Sequence, residues 1–402
     1  MIGGESCEIL EVGLHNTNAG PDFFNARIRI GDTIWAGNIE IHIKTSDWFA
    51  HKHHLDNAYE NVILHVVWQH DKQVIGKNEQ PLPALEIKDA YHQEIFERYR
   101  DFMSNKNWVA CENLIRQVDR FIVNNWLDRL MIERLEEKAH EIENQLHFNK
   151  NNWEQTFYEF LARNFGFKIN ALPFDLLAKS LPLNYLGKHK NNKLQIEAML
   201  FGQAGFLSKT FKDDYPKKLN QEYKFLHEKY NLIPLDPHIW KFMRLRPSNF
   251  PTIRIAQFAA LVFQSSHLFS KLLEIDSIKQ LSQLFEVTVS EYWNSHFHFD
   301  KKSADRAKRL GKTAIELIAI NTLIPFLFVY GKSRNDQSLI ERSVKLLEQL
   351  PGENNGIIRK WGILGLSTRT AFNTQALIQL KTNYCSHKKC LECAIGNNLF
   401  KS

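Results

Sequence analysis

The chain is poor in the features that mark secreted, membrane or fibrous proteins. Its 402 residues hold five cysteines, an odd number with three crowded near the C-terminus, unlike the pattern of a disulfide framework. No apolar run approaches the roughly 20 residues of a membrane helix. The longest candidate, Thr313 to Tyr330, is broken by Glu316, Asn321 and Pro325 and reads as a buried helix. The opening residues, Met-Ile-Gly-Gly-Glu, carry neither a basic nor an apolar segment, so secretion is not expected. No period in the range of about 20 to 50 residues recurs, which argues against a solenoid. The expectation is a cytoplasmic protein with no membrane partner.

What is present is ordinary globular material, 44% hydrophobic and 12% aromatic, long enough for two or three domains. The formal charge of +6 permits nucleic-acid binding but is too small to argue for it alone. The first 90 residues read as β-rich. Candidate strands are Cys7 to Leu14, Asn25 to Ile30, Ile34 to Lys44, Asn61 to Gln69 and Ala84 to Lys88, with Gly31-Asp32 as a tight hairpin turn. The run Val62 to Trp68 is apolar on both faces, as a covered central strand would be. From about Ala90 the periodicity becomes helical. Segments such as Leu114 to Phe148, Trp153 to Asn164, Tyr215 to Tyr230, Ala304 to Phe328 and Gln337 to Gln349 carry apolar residues three and four apart.

One strand concentrates the chemistry. In Ile39-Glu40-Ile41-His42-Ile43-Lys44 the isoleucines share one face, expected to dock on the core, and the ionisable residues share the other. Metal-assisted phosphodiester cleavage needs carboxylates for a hard divalent cation and a base or cation to handle water and phosphate. Asp22, in Gly20-Pro21-Asp22-Phe23, and Glu40 would be the metal carboxylates for Mg²⁺, with the Ile41 carbonyl as a further oxygen. His42 and Lys44 would assist water and phosphate. A competing tripeptide is Glu86-Ile87-Lys88. Beyond the strand lie His51, His53, His54 and Asp56, a dense group that suits metal ligation or phosphate contact, or equally a polar surface helix. Their spacing matches no recognised zinc motif. His65, inside the central strand, reads as a hydrogen-bonded core histidine.

Near the C-terminus, Cys385, Cys390 and Cys393 lie within nine residues, the last two separated as in metal-binding pairs. With His387 they would form a zinc site, and with Cys111 an all-cysteine zinc site or an iron–sulfur cluster. Two basic stretches, Lys241, Arg244, Arg246 and Arg254, then Lys301, Lys302, Arg306, Lys308, Arg309 and Lys312, suit a phosphate backbone of DNA or RNA, or a solvated helix face.

The strings Leu14 to Ile28, Trp35 to His42, Ser46-Asp47-Trp48, Val62 to Val67, Arg246 to Arg254 and Cys390 to Gly396 resemble the bacterial domain of unknown function 2851 family, over nearly the whole chain. The resemblance implies an uncharacterised protein with no established activity to carry over. Relatives usually carry an additional N-terminal helical stretch, so Met1 is expected to be a shortened start. A more remote likeness is to the restriction-endonuclease-like nucleases, whose Pro-Asp and acid-x-Lys motifs fall on neighbouring strands; their lysine is His42 here. The likeness implies an α+β protein. A nuclease-like mixed-sheet domain without its first helix would span residues 1–105, and a large all-α domain ending in the cysteine-rich segment 106–402. The functional expectation is a Mg²⁺-dependent nuclease. The alternative is a non-catalytic nucleic-acid- or protein-binding scaffold with a degenerate nuclease-like domain and a structural zinc or iron–sulfur site.

Overall fold

The computed structural model describes residues 1–76, 79–88, 90–91, 93–265 and 267–401. The architecture is α+β, a small mixed sheet followed by a large helical region. The chain divides into two compact units, Met1–Lys106 with Phe400 onward, and Asn107–Leu399.

In the first unit, β1 (Cys7–Glu11), β2 (Leu14–His15), β3 (Phe23–Ile30), β4 (Thr33–Lys44), β5 (Val62–Gln69) and β6 (Ala84–Glu86) form a six-stranded sheet. The order is β1-β3-β4-β5-β6, with β2 also pairing β3. The expected first strand splits at Gly13. Its φ is +84°, and a side chain there would lie 2.4 Å from the Phe24 carbonyl oxygen, so only glycine fits. Gly31, at φ +57°, turns β3 into antiparallel β4. The alternation of β3 holds, with Ala26, Ile28 and Ile30 buried and Arg27 and Arg29 facing Glu11 and Glu8.

From β4 to β6 the pairing is parallel. Parallel neighbours need a crossover, here residues 45–61, which hold the single-turn helix α1 (Asp47–Ala50) and two 3-10 turns, His53–Leu55 and Asn57–Tyr59. Trp48 and Tyr59 of the crossover pack with Val62, Val74 and Leu82. This reverses one expectation. The isoleucine face of β4 reaches the core only at Ile39, 5% exposed, whereas Ile41 and Ile43 are 44% and 70% exposed. The ionisable face is the covered one, because the crossover lies over Glu40, His42 and His65.

In the helical unit, α2 having been Gln93–Ser104 of the first unit, α3 (Arg120–Phe148) is a 29-residue helix begun by Asp119, whose side chain accepts from the Phe121 amide. Phe157, Phe165, Phe258, Phe326, Trp293 and Trp361 are among its fully buried side chains. The expected helix from Ala304 starts only at Lys312. The residues before it are strapped down by Gln257, which donates to the Lys308 carbonyl, and by Lys308 Nζ, which donates to the carbonyls of Asn294 and Arg306. The helical stretch Lys312–Arg334 has the length and hydropathy of a membrane span, but 78% of its apolar window is buried inside the unit. A π-helical turn at Ala319–Leu323 precedes Pro325, and its Ile320 carbonyl accepts from Lys138 of α3.

These faces can be told apart by truncation. Ile39→Ala should cost about 2–5 kcal/mol in urea unfolding, and Ile43→Ala less than about 0.5 kcal/mol. The reverse order would restore the docked isoleucine face.

Candidate metal centre

The covered face of β4 gathers a polar cluster. In the register of β4 with β5, Glu40 lies beside His65, which places Glu40, His42 and His65 together. The side chains of His42 and Glu40 are only 6% and 7% exposed. His42 Nδ1 is 2.9 Å from His65 Nε2, and His42 Nε2 is 3.1 Å from His51 Nδ1 of the crossover. Glu40 Oε1 is 3.3 Å from both His42 Nε2 and His53 Nε2. His53 stacks on Tyr59 with ring centroids 3.8 Å apart and meets Trp48 edge-on. Its Nε2 is buried, with Glu40 Oε1 as its polar neighbour.

Asp22 joins the cluster through the backbone. Its amide donates to Glu40 Oε2 at 3.1 Å, and its own Oδ2 accepts from the Ile41 amide at 2.9 Å. Burial, then the Asp22 charge, raises the Glu40 carboxyl to about 7. Burial, then the neighbouring imidazoles, lowers His42 and His65 to about 4, and burial lowers His53 as well. These imidazoles are therefore neutral at pH 7, the form that ligates metals.

The structure thus brings Asp22, Glu40 and His42 together and leaves Lys44 out. The Lys44 side chain is exposed and its backbone amide donates to Asp47 Oδ2. The competing Glu86 is occupied by the His70 amide at 2.9 Å. His51 and His53 enter the centre from the crossover, and His65 steadies His42 from behind. Their spacing hid this, because the ligand set is divided between a strand and two different turns. The signal available was their density next to a strand already bearing His42.

The expected cofactors need correction. Among the described residues, the grouping of three or more potential ligands with donor atoms within 4.8 Å of one another is His42, His51 and His53. No such group forms from Cys111, Cys385, His387, Cys390 and Cys393. All five cysteines of the chain are free. Burial, then the neighbouring thiols, pushes the Cys111 thiol to about 12, and burial raises Cys385, Cys390 and Cys393 too. The Mg²⁺ expectation fails as well, since the grouping is built from imidazole nitrogens, whereas Mg²⁺ takes oxygen ligands.

The model of the family described as protein of unknown function (DUF2851) matches residues 1–356. The chain belongs to that family. No curated protein and no solved structure matches it, so the likeness to restriction-endonuclease-like folds has no matching structure behind it. The family match contains every residue of the histidine centre, while Cys385, Cys390 and Cys393 lie beyond it.

The junction between β4 and α1 is held by Asp71, which accepts from the Thr45 and Ser46 hydroxyls and the Ser46 amide. These bonds, those from Ser46 foremost, lower its carboxyl to about 2. A depressed folded pKa stabilises above the unfolded value near 4 and is lost as pH falls through the folded one. Asp71→Ala should therefore be less stable than the parent at pH 7, with the difference shrinking between about pH 4 and pH 2 in urea titrations. A pH-independent difference would remove the ionised carboxylate from the account.

Proposed function

We propose that the N-terminal unit of this DUF2851 protein binds one transition-metal ion of zinc's class on His42, His51 and His53, as part of a non-catalytic binding protein. The observation that carries this is the convergence of three imidazoles from β4 and the crossover, their donor atoms all within 4.8 Å of one another. Donors on a tetrahedral zinc ion with bonds of about 2.0–2.1 Å are about 3.3 Å apart. His42 Nε2 and His51 Nδ1 are already 3.1 Å apart. His65 serves as the outer partner that fixes the orientation of the His42 ring, since a ligating histidine holds its second nitrogen on another group. Glu40 Oε1, 3.3 Å from two of the imidazole nitrogens, stands where it would complete the charge balance of the site.

The binding reading is favoured over hydrolysis by what surrounds His42. It occupies the position of the nuclease lysine, yet both its nitrogens have imidazole neighbours, and Lys44 stands away from the cluster. Neither group is free to activate water. A hydrolytic reading, phosphodiester cleavage by a remotely nuclease-like domain, draws support from one observation, the mutual hydrogen bonding of the Asp22 and Glu40 segments.

The test uses full-length protein stripped of metal and titrated with Co²⁺, then with competing Zn²⁺. One equivalent should bind with the visible absorption of a low-coordinate nitrogen and oxygen site, without a thiolate charge-transfer band. His53→Ala and His51→Ala should each weaken binding at least about tenfold. Binding unchanged in both variants, or a thiolate band, would sink the assignment. Metal-loaded protein should leave plasmid and single strands intact. Cleavage abolished by Asp22→Asn and Glu40→Gln would replace the binding reading with the hydrolytic one.

A further inference from the structure

The charge of the chain is unevenly divided. Residues 1–106 carry 10 Lys and Arg against 16 Asp and Glu, a net of −6; residues 107–402 carry 41 against 29, a net of +12. Within the helical unit, no acidic residue occurs between Asp236 and Glu274. An aromatic platform stands in this part of the unit. The rings of Phe242 and Phe250 lie 4.9 and 4.8 Å from that of His298, and 5.3 Å from each other. All three side chains are partly exposed. His298 belongs to the short strand β7 (His296–His298), which pairs with β8 (Lys301–Lys302), so the two basic stretches of the sequence meet at these rings.

The cations at the platform differ in what they do. Arg254 and Lys308 turn inward, at 6% exposure each. Arg254 is held by Asn249 and Gln257, both neutral, and its Nε has no hydrogen-bond partner. A buried guanidinium bonded only to neutral groups leaves a positive field that an anion would offset. Arg244, Arg246, Lys301 and Lys302 remain exposed. Lys301 and Lys209 lie near enough to add to burial in holding His298 below its ordinary value. The imidazole is thereby neutral and offers a flat face rather than a further charge.

We propose that this surface, Phe242, Phe250 and His298 with the exposed cations around them, binds single-stranded nucleic acid, with bases on the rings and phosphates on Arg244, Arg246, Lys301 and Lys302. Cations alone would accept any polyanion. Aromatic faces add affinity only for bases that are unstacked, as they are in a single strand and are not in a duplex. The site lies wholly in the helical unit and is independent of the metal reading.

Full-length protein is titrated into a fluorescent oligothymidylate of about 20 nucleotides, an oligouridylate of the same length and a matched duplex, with anisotropy as the signal. The single strands should bind more tightly than the duplex, with affinity falling as salt rises from about 50 to about 200 mM. The relative affinity of the two single strands distinguishes DNA from RNA as the preferred source. Phe242→Ala combined with Phe250→Ala should weaken binding about tenfold or more at unchanged salt slope. Lys301→Gln combined with Lys302→Gln, both exposed and so harmless to folding, should reduce that slope by about one. Failure to bind at low salt overturns the proposal. So does a lysine variant with the parental slope, a natively melting aromatic variant of parental affinity, or binding to anionic lipid vesicles without binding to oligonucleotide.

Discussion

Two parallel strands cannot be joined by a tight turn, so the chain between β4 and β5 must travel back across one face of the sheet. In this protein it crosses the face that carries Glu40, His42 and His65, and most of what distinguishes the N-terminal unit follows from that choice. Trp48 and Tyr59 seal the crossover against Val62 and Val74. Sealing removes Glu40, His42 and His65 from water. The same segment brings His51 and His53 over the strand. One connection therefore both buries the cluster and completes it, while the opposite face is left open along Ile41 and Ile43.

Burial sets the chemistry of the cluster. A charged carboxylate and charged imidazoles are penalised in a region of low dielectric, so Glu40 rises toward neutrality and His42 and His65 stay neutral. Neutral imidazoles facing one another have few ways to satisfy their nitrogens. His42 meets His51 and His65, and His53 Nε2 meets only the Glu40 carboxyl, while His65 Nδ1 is left buried without a hydrogen bond. A cation is the one partner that satisfies several lone pairs at a single point. Burial acts on thiols in the same sense, raising Cys111 and Cys385 toward the protonated form, with the neighbouring thiols adding to it.

In the helical unit, buried cations are held by backbone and amide oxygens. Lys138 donates to the Ile320 carbonyl, Asn321 and Gln375, and burial lowers it to about 7. Arg254 and Lys308 are bonded to amides and carbonyls. Where carboxylates are scarce, such groups leave positive potential at the surface, and the exposed arginines and lysines add to it.

Much of the fold was legible locally. The alternation of β3, the glycine turn at Gly31 and the three- and four-residue periodicity of α3 each report a face that one element must bury, and the sequence by itself determined them. It also showed that β4 has one apolar and one ionisable face. Which face of β4 is buried was not legible, since alternation defines two sides and does not say which one a later segment covers. Nor was the meeting of His51 and His53 with His42, because donors on a strand and on separate turns obey no common spacing. Cysteine spacing misled as well, since the grouping of potential ligands forms from imidazoles and not from the thiols. Only the path of the crossover through space decided these questions, and a period read along the chain carries no information about that path.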